Sequence, residues 1–349
     1  MSITIPNSID DVTLQWLADA TGWSIDSMAV EQIGVGVGVS SALYRVTLTG
    51  SGCPSSAIVK LPALDEAAVF TSTMLRMYIR EVVFFKTFAA ESPIRVPDLY
   101  FGAVDEATSK FVLVMEDFKH LRSVDQVSGM GVSDAERTVD ALAQWHATWW
   151  GKADALAEVG TTMSLADPIY HAVLPAVFAE GWAKLTAELD LPESILAVGP
   201  RWIDALPGML ARLATPPTAM LHGDYRADNI FFADDGSLAL LDFQILGTGT
   251  AAYDLAYFVT QSLEAHVAAE QERVLFERWV SALHAAGVPA DETGRLWEDY
   301  RLAALFCLVY PVVASRGMDL SDQRQRALLE TMSARLGRAI DDLGLAELI

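Results

Sequence analysis

Leu221-His222-Gly223-Asp224-Tyr225-Arg226-Ala227-Asp228-Asn229, with Asp242-Phe243-Gln244 further on, is the stretch of this 349-residue chain that decides its fold. Between the two lie Ile230-Phe231-Phe232, a turn at Asp234-Asp235-Gly236, and Leu238-Ala239-Leu240-Leu241. Two short apolar runs around an Asp-Gly turn predict a β-hairpin. The acid Asp224 and the amide Asn229 then sit in the loop entering the hairpin, and the acid Asp242 sits at its exit. Phosphoryl transfer from a nucleotide asks a protein for this kind of set, because it needs positioning and charge stabilisation more than covalent chemistry.

Within that chemistry each residue type has a task. Asp224 is the candidate catalytic base, accepting a hydrogen bond from the attacking hydroxyl and taking its proton. Asn229, with four residues between it and Asp224, turns back toward the same point and offers a neutral oxygen to Mg2+, and Asp242 supplies the anionic metal ligand. Arg226 is close enough in sequence to meet the transferred phosphoryl group; a solvated loop arginine is the alternative. His222 reads as a structural residue that holds the loop by hydrogen bonds.

Upstream, Leu43–Leu48 and Ala57–Leu61 are β-rich runs separated by the turn-forming Thr49-Gly50-Ser51-Gly52-Cys53-Pro54. Lys60 ends the second run among Ala, Ile and Val, where a lone ammonium is costly. Glu81 lies within the apolar stripe Tyr78, Val82, Phe85 and Phe88 of a helix expected over 73–89. Pairing Lys60 with Glu81 solves both problems and leaves the ammonium for nucleotide phosphates; the alternative is a snorkelling Lys60 and an exposed Glu81. Gly34, Gly36 and Gly38 lie ahead of strand pattern rather than of a helix, so they fit a turn covering phosphates with backbone N–H groups, or a plain hairpin turn, better than a dinucleotide fold.

The rest of the chain follows from periodicity. A short amphipathic helix is expected within 1–30, with Trp16 and Leu17 on one side and Gly22 as its stop. Strands are expected near Leu99–Val104 and Phe111–Met115. A helix is expected to open on a capping box, Ser133 with Glu136, and to run to Trp150. The hairpin at 230–241 is the only later strand pattern, and no internal repeat is visible. The fold class is therefore α+β and bilobal, with a small β-rich N-lobe at 1–116 and a larger helical C-lobe at 117–349.

Composition excludes several functions. The formal net charge of −22 argues against a nucleic-acid partner. No uncharged apolar run approaches the roughly 20 residues needed to cross a bilayer, and Met1-Ser2-Ile3-Thr4-Ile5-Pro6 shows no secretory signal. Cys53 and Cys307 are the only cysteines, too few for a disulfide framework or a thiolate metal site. A soluble, cytoplasmic protein is expected; composition is silent on oligomeric state.

With these residues in hand the chain resembles the aminoglycoside phosphotransferase and choline kinase superfamily, relatives of the protein kinases, over about residues 30–310. The His222-Gly223-Asp224 form is typical of its small-molecule branch. Asp242-Phe243-Gln244, Asp254-Leu255-Ala256-Tyr257-Phe258 and Val114-Met115-Glu116-Asp117-Phe118 are most similar to the ecdysteroid kinase-like group and its bacterial members. The resemblance implies a protein-kinase-like fold, Asp224 as base, Asn229 and Asp242 as metal ligands, and Lys60 with Glu81 holding phosphate. It also implies an adenine-binding hinge at Met115, Glu116 and Phe118, and Asp254 as a brace for the catalytic loop. The short Asp242-to-Asp254 interval lacks an Ala-Pro-Glu element, which favours a small-molecule acceptor over a peptide. The expected activity is ATP- and Mg2+-dependent phosphorylation of a hydroxyl on a small organic molecule; the alternative is a non-catalytic, nucleotide-binding kinase-like scaffold.

Overall fold

A computed structural model of the chain describes residues 3–34, 40–152, 156 and 163–349. It divides into two compact units, one formed by Met1–Glu91 with Val96–Leu121, the other by Ser92–Arg95 with Arg122–Ile349. The architecture is mixed, a β-sheet lobe and a helical lobe.

The first unit opens with helix α1 (Leu14–Thr21), capped by the Thr13 hydroxyl and stopped by Gly22 in the left-handed region at φ 76°. Strands β1 (Ser24–Ile33), β2 (Ser41–Ser51) and β3 (Ser56–Pro62) follow, then helices α2 (Glu66–Met74) and α3 (Met77–Val83), then β4 (Leu99–Asp105) and β5 (Lys110–Glu116). All five strands join one antiparallel sheet in the order β1-β2-β3-β5-β4. Val46, Val59, Val112 and Val114, all fully buried, form its centre with Leu17 and Leu61. Alternating burial along β2 is the period-2 signature that the sequence shows.

Two expectations are corrected here. Residues 24–33 form an edge strand rather than a continuation of loop and helix: they pair with β2 from Ser24 opposite Ser51 to Ile33 opposite Leu43. The helix expected over 73–89 is broken. Arg76 adopts φ 55°, separating α2 from α3, and α3 passes into a π-helical turn at Phe84–Phe88. Tyr78, Val82, Phe85 and Phe88 are nevertheless all buried, and Tyr78 stacks on Phe111 at 4.3 Å between ring centres.

The second unit contains β6 (Arg122–Ser123), α4 (Val132–Trp149), β7 (Met163–Ser164), α5 (Pro168–Glu188), α6 (Glu193–Leu213), β8 (Ala219–Leu221), β9 (Ile230–Phe232), β10 (Leu238–Leu240) and β11 (Gly247–Gly249). Helices α7 (Ala252–Ser262), α8 (Ala265–Ala285), α9 (Leu296–Phe306), α10 (Val309–Ser315) and α11 (Gln323–Asp342) complete it. The hairpin β9–β10 forms as expected, Ile230 opposite Leu240 and Phe232 opposite Leu238. Strands β6, β7, β8 and β11 lie outside the expected pattern, as two or three residues each are too short to show a period. The expected capping box is absent as well. Helix α4 begins at Val132 after Gly131, and Asp134 in its first turn is held by Arg122 at 2.8 and 3.0 Å. Fully buried Trp202 stacks on Phe178 at 4.3 Å, and Trp279 is likewise fully buried. No helix among the described residues is long and apolar enough to cross a membrane.

Candidate active site

Strand β8 delivers the chain into the loop 222–229, and that loop is fixed from several directions. Asp254, in the first turn of α7, is fully buried and accepts from the backbone N–H groups of His222 and Gly223 at 2.8 and 2.9 Å. His146 from α4 adds a third contact to the same carboxylate at 3.2 Å, and Trp279 donates to the far nitrogen of that imidazole. A buried carboxylate needs such partners, and here they determine the path of residues 222 and 223. Gly223 sits at φ 84°, and a Cβ there would lie 2.3 Å from the Ile245 carbonyl oxygen. Only glycine fits this bend.

His222 ties the loop to the hairpin. Its Nε2 is 3.0 Å from the Leu241 carbonyl, and its Nδ1 accepts from the Asp224 N–H at 3.3 Å. These partners require the neutral tautomer protonated on Nε2, and burial pushes the imidazole pKa down.

Asp224 follows, partly exposed, with side-chain donors aimed at its carboxylate. Asn229 Nδ2 reaches Oδ2 at 2.8 Å and also the Asp224 backbone carbonyl at 2.9 Å. Arg226 Nε lies 3.2 and 3.3 Å from the two carboxylate oxygens. The same guanidinium donates through Nη1 to Asp228 at 2.6 Å, while Asp228 accepts from the Gln126 N–H at 3.1 Å. Burial alone would lower the Arg226 pKa, but the neighbouring carboxylates hold it above its ordinary value. Arg226 is therefore an internal cation shared between Asp224 and Asp228, not a solvated loop residue.

Asn229 and Asp242 occupy the same end of the hairpin. Asn229 precedes β9, Asp242 lies just beyond β10, and the Leu241 N–H donates to the Asn229 carbonyl at 3.0 Å. Asp242 takes the left-handed conformation at φ 67°, a region that aspartate visits more readily than most residues. Among the described residues no three His, Cys, Asp or Glu side chains group together to hold a metal. The Asn229 amide nitrogen is committed to Asp224, which turns its carbonyl oxygen elsewhere, and oxygen donors of this type suit a hard divalent cation.

In the sheet lobe, Lys60 on β3 and Glu81 on α3 pair at 2.8 Å, with side chains 5% and 1% exposed. Gly34 follows β1 at φ 65°; Gly36 and Gly38 lie outside the described residues. Met115 and Phe118 are buried and Glu116 is partly exposed at the end of β5. The Glu116 N–H donates to the Asp98 carbonyl at 2.9 Å. Asp117 between them receives Arg45 Nε at 2.7 Å.

Sequence reasoning from the residues alone missed Asp228, Tyr257 and Tyr310 as neighbours of this loop, and reached Asp254 only through the family resemblance. A signal for Asp254 exists: it is the lone acid in a helix otherwise built from apolar and small polar residues, and every residue of α7 is buried.

The family model described as the phosphotransferase enzyme family (APH) matches residues 31–297. A search of curated proteins finds no match. Among solved structures, a choline kinase from Cryptosporidium parvum Iowa II aligns with a TM-score of 0.57 at 9% identity, covering 91% of each chain. A macrolide 2'-phosphotransferase type I gives 0.54 at 15% identity, covering 95% of this chain and 98% of that one. The amicoumacin kinase hAmiN, in complex with AMP-PNP, Ca2+ and Ami, gives 0.54 at 14% identity, covering 95% and 94%. These likenesses establish a kinase-like fold. With the family match spanning most of its length, the chain belongs to the phosphotransferase enzyme family.

Proposed function

We propose that the chain transfers the γ-phosphoryl group of ATP, with Mg2+, to a hydroxyl of a small organic molecule in the cytoplasm. Asp224 acts as the base. Its carboxylate is oriented by Asn229 and Arg226, and it accepts the proton of the attacking hydroxyl as the new O–P bond forms and the bond to ADP breaks. Arg226 steadies the charge on the transferring group from its place between Asp224 and Asp228. In the sheet lobe, Lys60 is held by Glu81 to bind nucleotide phosphate, Gly34, Gly36 and Gly38 are assigned to the phosphates from the sequence alone, and Met115, Glu116 and Phe118 form the adenine-binding segment.

Asn229 Oδ1 and the Asp242 carboxylate are the residues that would hold Mg2+. When bound, that ion would add to Lys60 and Arg226 in neutralising the phosphates, on a protein whose net charge is −22. The observation carrying this assignment is the Asn229 side chain: its nitrogen is bonded to the base and its carbonyl is left for a ligand, at the hairpin end where Asp242 lies. The residues quoted from 114–118 and 242–258 support placement nearest the bacterial members of the ecdysteroid kinase-like group.

The acceptor class is open to direct test. A panel of amino sugars, aminoglycosides, cholines, sterols and terpenoid alcohols, incubated with Mg2+ and ATP or GTP and scored by mass, is expected to show one compound gaining a single phosphoryl group. Nucleotide binding without transfer to any compound, and without slow hydrolysis, supports the scaffold instead.

A further inference from the structure

Gly223 is gripped at both of its peptide groups. Its N–H donates to Asp254 at 2.9 Å, and its carbonyl accepts from the Tyr310 hydroxyl at 2.7 Å. The second contact comes from α10, beyond the residues 31–297 that the family model matches. The Tyr310 hydroxyl also meets the hydroxyl of Tyr253 from α7. Since Tyr310 gives its one proton to the Gly223 carbonyl, Tyr253 is the donor in that second bond. The Tyr310 ring is stacked on Tyr257, 3.8 Å between centres and 7° from parallel. Tyr257 in turn is almost wholly buried and interacts with both Asp224 and Arg226.

We propose that Tyr310 is a positioning residue for the catalytic carboxylate: its hydroxyl fixes the peptide joining Gly223 to Asp224, and its ring presses Tyr257 against the Asp224 side. The carbonyl of Gly223 and the N–H of Asp224 belong to one planar unit. A bond to that carbonyl therefore sets the direction in which Asp224 leaves the backbone. The left-handed bend at Gly223 makes such a restraint necessary, because glycine has the widest conformational freedom of any residue. Asp254 restrains the preceding peptide; on this one the Asp224 N–H is held by His222 Nδ1 at 3.3 Å, and the Tyr310 hydroxyl holds the opposite, carbonyl edge by the shorter bond. Burial keeps the phenols of Tyr253, Tyr257 and Tyr310 protonated, pushing each well above its ordinary pKa, and the acceptor-only carbonyl of Gly223 sets the direction of the relay from Tyr253 through Tyr310.

The inference rests on Asp224 being the base, and two readouts on Tyr310→Phe separate the two ideas. Phenylalanine preserves the stack on Tyr257 and the packing, and removes only the hydroxyl. Hydrogen exchange of the 221–229 backbone, followed by mass spectrometry on the full chain, is expected to quicken about tenfold at an unchanged melting temperature. Slow hydrolysis of Mg·ATP is expected to fall about 10- to 100-fold in kcat, with KM for ATP within about twofold of the parent. Tyr253→Phe leaves the Gly223 bond in place and is expected to show a smaller change in both.

Unaltered exchange over 221–229 in Tyr310→Phe overturns the clamp, whether or not the parent turns ATP over. Quickened exchange with parental kcat overturns its catalytic role. A parent that binds Mg·ATP but neither hydrolyses it nor phosphorylates any compound of the panel defeats the assignment of Asp224 as base, and the exchange result still decides the clamp.

Discussion

The side-chain nitrogen of Asn229 donates at once to the backbone carbonyl and the carboxylate of Asp224, at 2.9 and 2.8 Å. In the proposed function this residue has two jobs, orienting the base with its nitrogen and holding a cation with its oxygen. Two substitutions separate these jobs. Asn229→Ala removes both, so turnover should fall about 10²- to 10³-fold and need more Mg2+. Asn229→Asp keeps an oxygen ligand but sets a second carboxylate against Asp224, so turnover should fall while the Mg2+ requirement stays near parental. Mg2+ titrations of ATP turnover check both, and parental curves for both variants would remove Asn229 from the site.

The buried pair Lys60 and Glu81 should behave as a unit in stability. Removing one partner takes away the countercharge at 2.8 Å, and Glu81→Leu should destabilise the fold by about 3 kcal/mol. Lys60→Met together with Glu81→Leu should recover most of that loss, because no buried charge of the pair remains. Urea denaturation of the two single variants and the double gives the coupling energy directly. Both single variants should also bind ATP more weakly, which calorimetry reads.

Two glycines should respond oppositely to the same change. Gly223→Ala places a methyl 2.3 Å from the Ile245 carbonyl at φ 84°, so it should cost more than about 2 kcal/mol and abolish turnover. Gly208 within α6 has nothing within 4 Å of the added carbon. Gly208→Ala should stabilise by about 0.5–1 kcal/mol with activity intact. Thermal melts with parallel turnover assays compare them.

Acid stability should depend on Asp117. Burial raises its carboxyl pKa, but hydrogen bonds from Arg45 and Ser56, the Arg45 charge and the Lys119 N–H outweigh this and hold it below 3.8. A carboxylate with a depressed folded pKa binds fewer protons folded than unfolded between the two values. Its contribution is therefore complete above pH 3.8 and is lost as pH falls through the folded value. Asp117→Asn should lower stability at neutral pH and flatten the fall in stability below pH 4, about 1–2 kcal/mol in all. Equilibrium unfolding between pH 2 and pH 7 follows it.

How far the sequence could be read varied with the physics of each element. The hairpin at 230–240 was legible because an Asp-Gly turn and two apolar runs are local signals, and β2 because its burial alternates. Strand β1 was not: at the sheet edge most of its residues are exposed, so no alternation marks it. Strand β11 reads as Gly-Thr-Gly, turn chemistry by composition, and becomes a strand only through β7 and β8. The break at Arg76 carries no glycine or proline to announce it. Around the loop 222–229, legibility did not follow distance along the chain: Asp228, two residues from Arg226, went unread as its partner. Lys60 and Glu81 could be paired because each posed a burial problem, whereas Tyr310 meets Gly223 from 87 residues away with nothing local to show it.

In the proposed function the Asp224 carboxylate does the chemistry and contributes little to nucleotide affinity. The most direct measurement is turnover of Mg·ATP by Asp224→Ala beside its nucleotide Kd by calorimetry, with Asp242→Ala as the metal-ligand counterpart. The account predicts turnover lowered about 10³-fold in Asp224→Ala at a Kd within about threefold of the parent, and loss of Mg2+-dependent binding in Asp242→Ala. Parental turnover in Asp224→Ala would contradict it.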